Sequence, residues 1–310
     1  MPEEEYVWLP REDILSFEEI ERLVRVFVGL GLDRVRLTGG EPLLRRNVAA
    51  LVESLSRIPG IEDLALTTNG VQLADHAERL RSAGLHRITV SLDTLDRARF
   101  QQLTRFDALD AVLRGIDSAV HVFPVVKIDT VLIKGVNDDE IGRLLDFGRQ
   151  VGAEVRFIEY MDVGGATRWS PDLVVSHREI LARVAEVRGG ATALARDSSA
   201  PAERYVTDDE QTFGIIASTT QPFCRTCDRS RLTADGLWFL CLYARDGMDL
   251  RARLRAGASD EALAAVIADT WTARDDRGAE LRVSERERTP FVPVSRLRRD
   301  PHLEMHTRGG

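Results

Sequence analysis

From Arg34 to Ile158 the sequence switches repeatedly between two periods, and that alternation leaves few folds open. Stretches rich in Val, Ile, Leu and Thr at 34–38, 64–67, 87–92, 125–133 and 155–158 read as strands. The amphipathic stretches between them, 46–57, 74–83, 108–120 and 138–151, read as helices. Five strands alternating with helices predict a parallel sheet with helices outside it, open or closed into a barrel. A further helix precedes the first strand. Ser16 can cap it, with Glu19 as the capping-box partner, and Ile20, Leu23, Val24, Phe27 and Val28 form one apolar stripe. Ahead of it Met1 to Pro10 is acidic and reads as extended; after the barrel helices, Gly189 to Pro201 reads as a connecting loop.

Strand parity adds chemistry to this scaffold. Alternate side chains share a face, which puts Arg36 with Thr38, Thr67 with Asn69, Ser91 with Asp93, Lys127 with Asp129 and Glu159 with Met161. A strand buried on both faces should be nearly all apolar, yet each of these carries polar groups toward its C-terminal end, where parallel α/β folds bind ligands. Any one of them reads equally well as a strand-end cap; five together point to a shared site. Thr38-Gly39-Gly40-Glu41-Pro42 and Thr67-Thr68-Asn69-Gly70 follow the first two strands. Each alone is an ordinary turn, although paired glycines let backbone amides approach a ligand.

The cysteines narrow the chemistry. Cys224, Cys227 and Cys241 are the whole inventory of the 310-residue chain and lie within eighteen positions. An odd number, so clustered, in a sequence without an export signal favours thiolate ligands over disulfides. Zinc is the competing metal, with His302 and His306 as a second half-site. The 74 residues between Cys227 and His302 exceed a zinc-finger spacer, and Cys241 would be left over. A net charge of -8 argues against a general nucleic-acid binder and is compatible with a local basic pocket. Without an apolar run of about eighteen residues, the expectation is a soluble cytoplasmic protein with no membrane partner.

These motifs, in this order, resemble the radical S-adenosylmethionine (SAM) family: Thr38-Gly39-Gly40-Glu41-Pro42, Thr67-Thr68-Asn69-Gly70, Val90-Ser91-Leu92-Asp93, Lys127-Ile128-Asp129-Thr130, and Arg156-Phe157-Ile158-Glu159-Tyr160-Met161. The tail, with Cys224-Arg225-Thr226-Cys227, Arg229-Ser230-Arg231, Cys241 and the final Gly309-Gly310, is similar to the branch that cyclises GTP at the start of molybdenum cofactor synthesis. The resemblance implies an incomplete (β/α)6 TIM-like barrel, residues 1–215, followed by a GTP- and 4Fe-4S-binding region, residues 216–310, that ends in the Gly-Gly tail. In that family Met-Pro-Glu follows the last cysteine of a Cys-x3-Cys-x2-Cys loop, and this chain starts Met1-Pro2-Glu3. The expectation is that the first barrel strand and the loop holding a SAM-cleaving cluster lie ahead of Met1; the alternative is a non-catalytic GTP-binding iron-sulfur protein as written.

Residue by residue, the resemblance implies SAM contacts at Gly40, Ser91 and Met161, and GTP contacts at Arg36, Thr67, Lys127, Arg229 and Arg231. It implies a three-cysteine 4Fe-4S cluster at Cys224, Cys227 and Cys241. Arg229, Arg231, Gly309 and Gly310 would act in catalysis, with both arginines facing the nucleotide if their segment is extended. An electron donor, a downstream cyclic pyranopterin monophosphate synthase and a homodimer complete the implied partners.

Overall fold

The computed structural model describes residues 9–164, 168–195, 199–285, 287–297 and 299–309; most of the acidic N-terminal stretch and Gly310 lie outside them. Helix α1 (Phe17–Gly29) begins with the anticipated capping box: the Ser16 hydroxyl accepts from the Glu19 amide at 3.1 Å, and the Glu19 carboxylate accepts from the Ser16 amide at 2.8 Å. The alternation then runs β1 (Arg34–Leu37), α2 (Val48–Ser56), β2 (Asp63–Thr68), α3 (Leu73–Ser82), β3 (Arg87–Ser91) and α4 (Arg97–Thr104). It continues with α5 (Leu109–Val122), β4 (Val126–Leu132), α6 (Ile141–Val151), β5 (Glu154–Glu159), α7 (His177–Arg188), β6 (Ala191–Ala193), β7 (Glu203–Thr207) and β8 (Thr212–Ile216).

The strands form one sheet in the order β1-β2-β3-β4-β5-β8-β7-β6. The first six in that order are parallel, and β7 and β6 add an antiparallel edge. Among the described residues β1 and β6 remain the two edges of this sheet, which makes it the parallel sheet that the alternation predicts and the incomplete barrel that the resemblance implies. Two details depart from the expectation. Helix α4 is an extra element, capped where the Asp96 carboxylate accepts from the Arg99 amide at 2.7 Å; Phe100 is its one buried residue, so its sequence has almost no apolar periodicity to read. Within the stretch 189–201, Ala191–Ala193 is a strand, because β7 offers it an antiparallel edge.

Leu64, Leu66, Ile88, Val90, Ile128, Val155 and Phe157 point outward into the core under the helices and are essentially inaccessible to water. Each such side chain contributes about 1.5–3 kcal/mol of burial. That outward preference is what turns the polar residues of the opposite parity toward the concave side.

Beyond Ile216 lie a small antiparallel sheet, β9 (Arg231–Leu232), β10 (Leu237–Phe239) and β11 (Met248–Asp249), and helices α8 (Leu250–Arg255), α9 (Asp260–Thr272), α10 (Gly278–Val283), α11 (Val294–Leu297) and α12 (Met305–Arg308). Helix α1 holds this region to the barrel. Val24 packs into the barrel core, whereas Leu23 and Val26 join Trp238, Leu250, Leu254, Leu263 and Ile267 in a second core. Phe27 meets Trp238 edge to face at 5.4 Å. Among the described residues no helix is long and apolar enough to cross a membrane.

Candidate functional site

The concave wall is lined by charge. Arg36 of β1 donates to the Thr67 hydroxyl of β2 at 2.9 Å and to Thr89 of β3 at 3.3 Å. Thr89 is in register with Lys127 of β4, and Asp129 with Arg156 of β5. Two of the cations are matched by carboxylates: Arg87 forks onto Asp63, and Arg156 pairs with Glu154 at 2.9 Å. Arg36 and Lys127 have no carboxylate at ion-pair distance among the described residues. Burial, reinforced by the neighbouring Arg156 and Arg87, pushes Lys127 down to about 8. Arg36 is also lowered, by burial and by Arg87, while burial raises Asp129 against the pull of Arg156, Arg36 and Lys127. With Asp129 as the carboxylate that faces Arg36 and Lys127 without an ion pair, the wall still carries Arg36, Arg87, Lys127 and Arg156 against Asp63, Asp129 and Glu154, an excess of cations complementary to an anion.

Above this wall, Glu41 joins the two glycine turns. Its carboxylate accepts from the Leu43 amide at 3.0 Å, the Thr68 hydroxyl at 2.8 Å and the Asn69 amide at 2.7 Å. Gly39, at φ 127°, makes the bend that leaves Gly40 exposed at the rim. Ser91 is exposed at the C-terminal end of β3, and Met161 is half-buried just after β5. Glu159 is a correction to the parity reading. It follows Val155 and Phe157 onto the helix side, is wholly buried, and accepts from the amides of His177, Thr219 and Thr220 at 2.7, 2.8 and 2.7 Å. Its carboxylate holds loops together rather than facing a ligand.

The three cysteines are free and half-buried. Cys224 opens a short 3-10 turn, and burial raises its thiol above the ordinary value. Burial acts the same way on Cys227, but the Arg229 amide and the guanidinium groups of Arg229 and Arg274 outweigh it and hold that thiol lower. The Cys227 sulfur accepts from Arg229 at 3.4 Å and Arg274 at 3.7 Å, and the Cys241 sulfur accepts from the Tyr243 amide at 3.4 Å. Donors around sulfur suit thiolate ligands. Among the described residues, no three His, Cys, Asp or Glu side chains converge tightly enough to hold one metal ion. A cubane cluster is different, because it distributes its thiolates over separate irons. The zinc half-site has no geometric support: His302 Nε2 is engaged by Asp235 at 2.7 Å and its Nδ1 by Asp300 at 3.2 Å.

The two arginines that look equivalent in sequence diverge. Arg229 is exposed and lies over the Phe223 ring at 4.8 Å. Arg231 turns inward, donating to the carbonyls of Arg308, at 3.2 Å, and Gly309; burial and the nearby Arg229 and Arg308 push it down to about 10. Gly309 in turn sits against Thr38 and Gly39, where a methyl group on it would collide with Thr38 Cγ2. The structure thus brings Arg231, Gly309 and the glycine turn together, and separately Arg36 and Thr67. Gly310 lies outside the described residues.

Several residues of the site have no readable sequence signal. Asp162 is completely buried, and its carboxylate takes Tyr243 at 2.8 Å, Arg282 at 2.7 Å and Arg288 at 3.0 Å. These partners come from positions up to 126 residues away, and they tie the loop after Met161 to the loop after Cys241. Arg156 and Thr89 were within reach of the parity argument, since they alternate with Val155 and Val90.

Residues 5–148 match the Radical SAM superfamily, and residues 153–280 match the family described as Molybdenum Cofactor Synthesis C. The chain is 54% identical over its whole length to GTP 3',8-cyclase 3 of Mycobacterium bovis, covering 83% of that protein. It is 52% identical to GTP 3',8-cyclase 1 of Mycobacterium tuberculosis, covering 88% of it, and 46% identical to GTP 3',8-cyclase of Acidothermus cellulolyticus, with 78% covered. The crystal structure of Streptococcus suis SuiB bound to precursor peptide SuiA aligns over 91% of this chain and 62% of that one, with a TM-score of 0.58 and 18% identity, a likeness of fold.

Proposed function

Because the chain belongs to the GTP 3',8-cyclase family of radical SAM enzymes, we infer that it joins the ribose of GTP to guanine C8, the first step of molybdenum cofactor synthesis. The chemistry of that family requires S-adenosylmethionine and a 4Fe-4S cluster, which when bound supply a carbon radical able to take hydrogen from ribose C3'. This chain's own residues bind, orient and exclude water. Arg36, Thr67 and Lys127 would receive the triphosphate, with Arg229 and Arg231 at its other side. Gly40 at the rim would meet the methionine end of S-adenosylmethionine, Ser91 its ribose and Met161 its adenine. Cys224, Cys227 and Cys241 would hold a 4Fe-4S cluster with one iron left for the guanine base, and Gly309 with Gly310 would close over the reacting sugar. A radical reacts with whatever lies within reach, so holding C3' close and keeping water out are the main tasks left to side chains.

The observation that carries this reading is the pair of unmatched cations, Arg36 and Lys127, on the concave wall beneath the glycine turns. Arg36 is exposed to the concave space and Lys127 is half-buried, so both charges can meet a triphosphate that enters it. Residues 1–215 would serve as the barrel and residues 216–310 as the nucleotide and cluster region. The setting would be the cytoplasm, with an electron donor upstream, a pyranopterin monophosphate synthase consuming the product, and a homodimer as the assembly.

Anaerobic reconstitution followed by iron assay and GTP titration tests the assignment. The expected result is about four irons at the three cysteines, lost in Cys241→Ser together with GTP affinity while S-adenosylmethionine binding persists. GTP binding in Cys241→Ser equal to that of the parent would contradict the cluster's place in the site.

A further inference from the structure

Residues 301–309 lie wedged among three loops that the sequence places far apart. On one side the chain presses against Gly164, in the loop after β5: a methyl group there would come within 2.6 Å of the Leu303 carbonyl and 2.7 Å of the Met305 amide. On a second side Gly309 abuts Thr38 and Gly39 of the glycine turn, with Gly39 N 3.4 Å from where a Gly309 methyl would stand. On the third lies the cysteine region: Arg231 donates to the carbonyls of Arg308 and Gly309, His302 meets Asp235 at 2.7 Å, and the reach to the Cys241 loop itself is made by Arg308. Arg308 is 4% exposed, stacks over the Phe239 ring of β10 at 4.2 Å, and donates to the carbonyl of Leu242, next to Cys241, at 2.8 Å. Its Nε donates to the His302 carbonyl at 2.5 Å, which folds the segment back on itself.

We propose that Arg308 is a positioning residue that seats this terminal segment between the Cys241 loop and the Thr38-Gly39 turn, so that the order of one loop is transmitted to the other. A single guanidinium fixes both the cysteine-loop carbonyl and the segment's own fold, and the next residue is the one that touches the glycine turn. At the glycine-turn end the segment's own backbone is fixed: Gly309 has φ 76°, and its amide returns to the Met305 carbonyl at 2.9 Å. Lysine would keep the charge without the two-pronged geometry that reaches both carbonyls. What the seated segment accomplishes for catalysis rests on the cyclase reading; the seating itself does not.

Hydrogen exchange on the unloaded chain, read by mass spectrometry, separates the two. In Arg308→Ala the peptide 299–309 should exchange at least about tenfold faster, the scale set by removing charge-assisted hydrogen bonds. The peptide covering 38–44 should accelerate with it, while β4 stays at the parent rate. Arg308→Lys should fall between, and Gly164→Ala, acting from the opposite side, should accelerate the same two peptides. Parent-like exchange of 299–309 in Arg308→Ala overturns the proposal whatever Gly164→Ala does, as does a faster 299–309 with 38–44 unchanged. In the reconstituted enzyme Arg308→Ala should lower kcat at parental iron content; a kcat that stays high with the exchange results as expected counts against the catalytic reading alone.

Discussion

At the scale of residues, identical side chains acquire different chemistry from the wall they stand on. Lys127 is one: with its ammonium pushed down to about 8, it is partly neutral just above neutral pH. A bound triphosphate should raise it again, so GTP binding near pH 8 should take up a fraction of a proton and weaken as pH rises through that value. Calorimetry in buffers of different ionisation enthalpy would detect the uptake, and Lys127→Arg should abolish it. Arg229 and Arg231 make the second case. Each replaced by alanine should cost about 1–3 kcal/mol of nucleotide binding, with Arg231→Ala the larger because that side chain also holds the Gly309 carbonyl. Equal losses in a titration would remove the distinction. The sequence offers the pair as equivalent neighbours; only packing shows that one faces solvent and the other the terminal segment.

At the scale of elements, most of the pattern was legible. The capping box of α1, every strand from β1 to β5, and the larger helices follow from periodicity and caps. The failures have local causes. Helix α4 buries one residue and so carries no stripe, and β6 exists because β7 gives it an edge. Pairing Glu159 with Met161 by parity puts it on the ligand face, but within β5 it shares the parity of Val155 and Phe157, which face the helices. That correction can be tested. Glu159→Gln presents an amide to buried N–H donors and should cost about 2–3 kcal/mol in urea unfolding, with GTP affinity of the folded protein unaltered. A selective loss of GTP affinity at unchanged stability would return Glu159 to the site.

At the scale of the whole molecule, buried carboxylates stitch remote segments together, and they set the response to acid. Desolvation opposes ionisation of Asp162, but its hydrogen bonds to Arg288, Tyr243 and Arg282 outweigh it and hold the carboxyl below the usual range. Asp63, through Arg87, and Glu154, through Arg156, are also lowered. A carboxylate depressed in the folded state contributes stability that is present above its unfolded pKa and lost as pH falls through the folded one. Unfolding midpoints should therefore drop from about pH 5 downward, and Asp162→Asn should flatten its share of that slope while loosening the region beyond Ile216. An unchanged pH slope in Asp162→Asn would mean the Asp162 cluster is not what couples the two regions. The sequence by itself determined the alternation, the outward apolar faces and the clustering of thiols, since these are written in residues within a turn or a strand of one another. The tertiary structure decided which cations stand without a carboxylate at ion-pair distance among the described residues, how Asp162 gathers its arginines, and where residues 301–309 come to rest, since those depend on contacts between segments whose separation along the chain leaves no local pattern to read.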